Sequence, residues 1–127
     1  MSHARRYAQS SAQTASRERL MVMLFEKALQ GMRAGAAALE TGRVAEANRL
    51  LSNALEIVVE LHATLDRSRA PELCDRLGEV YRFVCARVGE ANLRHDPRLA
   101  REAERAFAPV ADGFARAVAM LPGQEAR

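Results

Sequence analysis

The sequence contains no tryptophan, and aromatic residues make up only 5% of its 127 residues. Strands favour aromatic and β-branched side chains, so a chain that is instead rich in alanine, leucine and arginine favours helices. No apolar run approaches the roughly 18 residues that a membrane span needs. No charged, apolar and small-residue signal peptide opens the chain. These absences predict an all-α protein that does not insert into a membrane.

Residues that carry catalysis or bind metals are also scarce. None of His3, His62 and His95 has a glutamate three residues before it, so the Glu-x-x-His pairs of di-iron bundles are missing. The sequence has no glycine-rich phosphate loop and no nucleophile paired with a base. Cys74 and Cys85 lie about 16 Å apart along one predicted helix, too far for a disulfide. We therefore expect no cofactor, no metal and no enzymatic activity.

The positive charge is concentrated near the N-terminus. Residues 1–19 contain four arginines and one acid, whereas the rest of the chain has 15 basic and 15 acidic residues. Alternating signs at short spacing are typical of a solvated helix face rather than of a phosphate-binding stripe. One alternative stays open, namely a helical module that binds nucleic acid or a membrane surface through its basic arm. Such binding should weaken steeply with salt.

Apolar residues at three- and four-residue steps predict four helices, over residues 17–39, 43–65, 71–94 and 97–121. Ser16 is a good N-cap for the first helix, and Gly42 supplies its end. Pro71 suits the first turn of the third helix, and Asp96-Pro97 provides a cap and a first-turn proline for the fourth.

Helices of similar length with short connections should lie antiparallel, so the predicted fold is an antiparallel up-down four-helix bundle over residues 16–121. Residues 1–15 lack helical periodicity, and we expect them to form a flexible N-terminal arm. Residues 122–127 are predicted to be a disordered tail. Pro109 lies inside the fourth helix and predicts a kink, because it removes one backbone hydrogen bond.

Six consecutive apolar residues, Leu20 to Phe25, point all the way round the first helix. One stripe, typical of a bundle core, consists of Leu20, Leu24, Ala28 and Met32. Val22 and Phe25 lie outside that stripe, so we expect something else to cover them. The candidates are the N-terminal arm, a second copy of the chain or a partner segment.

Several stretches resemble the FliS flagellar secretion chaperones. In chain order they are Tyr7, Thr14-Ala15-Ser16, Leu20, Met23-Leu24-Phe25-Glu26, Ala28, Asn48 with the following LLSNALEIVVEL, Leu65-Asp66, Leu77, Tyr81, Ala91-Asn92 and Asp96. The resemblance covers residues 7–118. The departures are Arg17, Lys27, Leu55 and Phe25, which stand where proline, glycine, glutamine and tyrosine are usual.

The resemblance implies a cytoplasmic export chaperone that binds the C-terminal segment of flagellin. It would hold that disordered segment as helices along apolar grooves, prevent premature polymerisation and deliver it to the flagellar export apparatus. The N-terminal arm would cover part of the groove until flagellin displaces it. Export-gate components and a co-chaperone are further partners that the resemblance allows. We expect a monomer or weak homodimer that binds no nucleic acid.

The chaperone hypothesis leads to candidate residues for flagellin binding. We expect Tyr7 to anchor the arm and Ser16 to cap the first helix, and the groove-lining candidates are Leu24, Phe25, Leu51, Leu55, Val58 and Tyr81. Packing within the core is the alternative for each of the latter. If Phe25 lines an open groove, Phe25→Asp should weaken flagellin binding and leave the helical spectrum intact. Collapse of the fold would instead show that Phe25 belongs to the core.

Overall fold

The computed structural model describes residues 16–122, which form four α-helices. The helices are α1 (Arg17–Glu40), α2 (Val44–Ala63), α3 (Pro71–Arg94) and α4 (Pro97–Ala119). Their ends lie within two residues of the predicted bounds, and α2 and α4 both end two residues earlier than predicted. The all-α prediction is confirmed. The predicted arm and all of the predicted tail except Pro122 lie outside the described residues.

The helix ends follow from local sequence chemistry. The side chain of Ser16 accepts a hydrogen bond from the backbone N–H of Arg19 at 3.2 Å, which satisfies one of the free donors at the start of α1. Gly42 adopts a left-handed backbone with φ of 76°, which ends that helix. At α4 the carboxylate of Asp96 accepts from the backbone N–H of Arg98 at 2.9 Å.

The helices pack in ring order, each against two neighbours: α1 contacts α2 and α4, and α3 contacts α2 and α4. Connections of two to seven residues join them, and such short links bring successive helices together as antiparallel neighbours. The predicted up-down four-helix bundle is confirmed. The start of α1, the end of α2, the start of α3 and the end of α4 therefore meet at one end of the bundle, which we call the α1-start end.

Phe25 belongs to the core of the bundle. It is 3% exposed, and its ring centroid lies 5.7 Å from that of Phe107 and 4.9 Å from that of Phe114, both on α4. The prediction that an arm, a second copy or a partner must cover Phe25 is wrong, because α4 covers it. Because α1 packs against both α2 and α4, it buries a wider part of its circumference than a single apolar stripe would cover. Val22 is half-buried and lines a small cavity between α1 and α4.

Gly35 allows α1 and α2 to approach closely. A Cβ atom at this position would lie 2.5 Å from Cδ2 and 2.7 Å from Cγ of Leu51, which is fully buried. Gly35→Ala should therefore lower the free energy of unfolding by about 1–3 kcal/mol, although alanine favours helix. Gly89 inside α3 is the matched control, because a Cβ there meets no atom within 4 Å. Gly89→Ala should raise the free energy of unfolding by up to about 1 kcal/mol.

Urea unfolding of the two variants checks this pair. If both variants gain stability, the close approach of α1 and α2 at Gly35 does not limit side-chain size, and the described packing is contradicted.

Candidate functional site

An apolar cavity of about 470 Å³ lies at the α1-start end of the bundle, mainly between α3 and α4. We call it the α3–α4 groove. Its walls are formed by Leu73, Leu77 and Tyr81 of α3 and by Pro109, Val110, Gly113 and Phe114 of α4. Met21 and Phe25 of α1 contribute to its floor, and residues 64–66 of the α2–α3 connection close one side.

The groove exists because α2 does not extend alongside the first turns of α3 at this end of the bundle. The last helical residue of α2 is Ala63, and the next seven residues cross over to the start of α3. The first turns of α3 therefore lack a packed helix on one side, and Leu73 is 52% exposed although it continues the apolar stripe. On the opposite wall, Gly113 has no side chain, and a Cβ atom there would meet nothing within 4 Å. An open apolar surface results.

Aromatic rings form the base of the groove. Phe25 packs on Phe114, and Tyr81 lies 6.5 Å from Phe107 between ring centroids. Burial raises the pKa of Tyr81 to about 12, with a smaller contribution from nearby Cys74. The base is therefore a packed, largely apolar surface, and its one phenol stays protonated at neutral pH.

His62 packs against the back of Tyr81, with ring centroids 5.8 Å apart. This position agrees with the interpretation of His62 as a packing residue rather than a ligand. Within residues 16–122, no group of three or more His, Cys, Asp or Glu side chains is placed to hold a metal ion. Cys74 and Cys85 are both unpaired, and burial raises the pKa of the Cys85 thiol.

An ion pair crosses from α3 to α4 farther along the same two helices. Arg87 donates from Nε to Glu102 at 2.8 Å, and its guanidinium also lies 4.7 Å from the centroid of the Phe83 ring. Phe83 itself is 40% exposed, beyond Tyr81 on α3. The apolar surface of the groove therefore gives way to a charged bridge about two turns beyond Tyr81.

The α1–α4 seam is also held by paired charges. Arg33 donates to Glu104 at 2.9 Å, and Arg101 donates to both Glu104 and Glu40, each at 2.9 Å. The hydrogen bonds from Arg101 hold the pKa of Glu40 below its usual value. The alternation of positive and negative residues along the sequence is typical of a solvated surface, and these ion pairs between helices agree with it. None of the described helices is long and apolar enough to cross a membrane.

The structure separates the site residues predicted from the sequence into groups. Phe25 and Tyr81 line the groove. Ser16 is the cap of α1, as predicted, and Tyr7 lies outside the described residues. The remaining candidates lie away from the groove: Leu24, Leu51 and Val58 are buried in the core, and Leu55 is half-buried against it. That flagellin contacts any of these residues stays a prediction.

Sequence reasoning missed most of the groove. The residues that it did not single out as binding residues are Met21, Leu73, Leu77, Val110, Gly113 and Phe114. Several of them carry the apolar periodicity of a core stripe, so a single helix gives no sign that they face an opening. Gly113, a glycine inside the fourth predicted helix and next to Phe114 of its apolar stripe, was one available signal for a gap between helices.

A four-helix bundle that presents an apolar groove at one end defines a class of helical binding protein, and comparison with known proteins identifies the family. The family model described as "Flagellar protein FliS" matches residues 1–120. The chain is 30% identical over 120 residues to the flagellar secretion chaperone FliS of Salmonella typhimurium. The aligned region covers 94% of this chain and 89% of that protein. It is also 30% identical over 112 residues to the FliS chaperone of Bacillus subtilis, covering 88% and 83%. The chain belongs to the FliS family of flagellar secretion chaperones.

Proposed function

We propose that this chain is a cytoplasmic chaperone that binds the C-terminal segment of flagellin in the α3–α4 groove. It keeps the segment from polymerising early and delivers it to the flagellar export apparatus. Membership of the FliS family supports a flagellar client. The observation that carries the proposal is the apolar groove of about 470 Å³ at the α1-start end.

The groove has the shape and chemistry for an amphipathic helix. Leu73 to Tyr81 span about 12 Å along α3, which corresponds to about two turns of a helix laid alongside. Apolar side chains at three- and four-residue steps on a client would enter between the two walls. Each buried side chain of Leu or Phe size contributes about 1.5–3 kcal/mol before the cost of ordering the client is subtracted. A segment that is disordered when free is therefore held with moderate affinity.

Binding should be driven by apolar contacts and should depend little on salt. In calorimetric titrations of the full chain with the C-terminal segment of flagellin from the same organism, we expect one-to-one binding with a negative heat-capacity change. Circular dichroism of the mixture should show a gain in helix. Because the α3 and α4 walls carry no charged side chain and Asp66 is the one charged residue in the described lining, raising the salt concentration fourfold should change the affinity less than about threefold.

A variant without residues 1–15 is the matched control for the basic-arm alternative. Deletion of the arm should preserve or tighten flagellin binding, because residues of α1, α3, α4 and the α2–α3 connection form the described lining of the groove. Loss of binding on arm deletion, together with a steep salt dependence, would contradict the proposal. It would favour a module that binds through its basic arm.

A further inference from the structure

The Tyr81 hydroxyl is the polar end of a side chain that is otherwise buried. Tyr81 is 2% exposed, yet its hydroxyl makes no hydrogen bond with any group in residues 16–122. Buried tyrosine hydroxyls are usually hydrogen-bonded, so this case requires an explanation. Across the described residues, the fully occluded side-chain oxygens that lack a partner are the amide oxygens of Asn48 and Asn92. The Tyr81 hydroxyl is not one of them, so it still reaches an open space.

Tyr81 lines the α3–α4 groove, which is an open space beside this part of α3. The two polar side chains at the edge of the groove each take part in a hydrogen bond within the fold. Thr64 donates from Oγ1 to the backbone carbonyl of Leu61 at 2.7 Å, and the Asp66 carboxylate accepts from the backbone N–H of Ser68 at 3.0 Å. Tyr81 therefore brings to the groove a hydroxyl that bonds to no other described residue, and the other side chains of the groove are mostly apolar.

We propose that Tyr81 is a specificity determinant of the groove, whose hydroxyl donates a hydrogen bond to one uncharged polar side chain on the apolar face of the bound flagellin helix. The inference rests on the proposed function. Within a helix the backbone carbonyls already accept intrahelical bonds, so the acceptor is a side chain: Asn, Gln, Ser or Thr. A charged side chain is excluded by the cost of burying it in an apolar cavity.

This single polar contact fixes the register of the client. Apolar contacts alone allow a helix to slide along a groove by one turn with little loss. A shifted helix would leave both the Tyr81 hydroxyl and its own polar side chain buried without partners, which is costly. A buried asparagine sets the register of coiled coils in the same way.

The test combines Tyr81→Phe with a scan of the flagellin segment, in which each Asn, Gln, Ser and Thr is replaced by Ala in turn. Tyr81→Phe in the full chain should weaken binding of the native segment by about 5- to 30-fold. One position of the scan should give a similar loss with the wild-type chain and no further loss with Tyr81→Phe. Leu73→Ala is the control, because it removes apolar contact alone and its effect should add to that of every substitution in the scan.

Thermal unfolding of free Tyr81→Phe separates this role from a structural one. Since the hydroxyl bonds to no other described residue, its removal should leave the melting temperature unchanged or raise it. A lower melting temperature would show a partner within the fold and overturn the inference. Equal affinity of the wild type and Tyr81→Phe for the native segment would also overturn it and leave the proposed function intact. Failure of the wild type to bind the segment would instead refute the proposed function.

Discussion

Gly113→Leu is expected to abolish flagellin binding while making the free protein more stable. Gly113 lies on the α4 wall of the groove, and a Cβ atom there meets nothing within 4 Å. A side chain can therefore start from this position without a clash at Cβ, and a leucine there would occupy the space that a client side chain requires. Loss of a central contact site typically costs more than about 2 kcal/mol, so we expect the affinity to fall by about 30-fold or more.

The gain in stability has a separate cause. Gly113 lies inside α4, and leucine favours helix over glycine by about 0.5–1 kcal/mol. Few substitutions that remove binding also raise stability, so the combination distinguishes a blocked groove from a damaged fold. Calorimetric titration and urea unfolding of the same preparation measure both effects.

Gly89→Leu is the matched control for this experiment. Gly89 also lies inside a helix, a Cβ atom there also meets nothing within 4 Å, and it is not part of the groove. Gly89→Leu should raise stability by a similar amount and leave flagellin affinity within about twofold. Normal binding by Gly113→Leu would show that the client does not use this part of the groove.

Phe25→Asp is expected to unfold the protein or to lower its free energy of unfolding by more than about 4 kcal/mol. The substitution removes a ring that packs on Phe107 and Phe114, and it places a carboxylate at a position that is 3% exposed. Such a loss is a large part of the stability of a typical domain. Helical circular dichroism and urea unfolding check the result.

Met23→Asp provides the comparison on the same helix. Met23 is 38% exposed, so its replacement should change the free energy of unfolding by less than about 1 kcal/mol. If Phe25 lined an open groove, as its position outside the main stripe suggested, Phe25→Asp would leave the helical spectrum intact. The structure instead leads us to expect unfolding or a large loss of stability. An intact helical spectrum with an unchanged unfolding midpoint would show that Phe25 is not a core residue.

Much of the fold could be predicted from local sequence chemistry. Ser16, Gly42, Pro71 and Asp96-Pro97 act within one turn of the chain, so their effect on helix ends does not depend on tertiary contacts. Helical periodicity and short connections then constrain the order of the bundle. The end of α2 was less predictable: Leu65 continues the apolar pattern, but in the structure it lies in the connection and lines the groove.

The candidate site was harder to predict, because a groove is a missing contact between helices. Periodicity shows which side of a helix is apolar, but it does not show whether a neighbour covers that side. Phe25 was expected to need cover from the arm, a second copy or a partner and is covered by α4, whereas Leu73 continues a core stripe and is 52% exposed. Both outcomes depend on where the other three helices start and end, which the pattern of one helix does not contain.

Site-specific photocrosslinking tests the central claim most directly, because it asks which surface the client touches. A benzophenone side chain would replace Leu73 at the edge of the groove in one variant and Val59 on α2 in another, two positions that are 52% and 53% exposed. Each variant would be irradiated with the flagellin C-terminal segment under conditions in which calorimetry shows saturation. We expect a crosslink from position 73 and little or none from position 59. A bound segment that crosslinks from position 59 and not from position 73 would contradict the assignment of the α3–α4 groove as the client site.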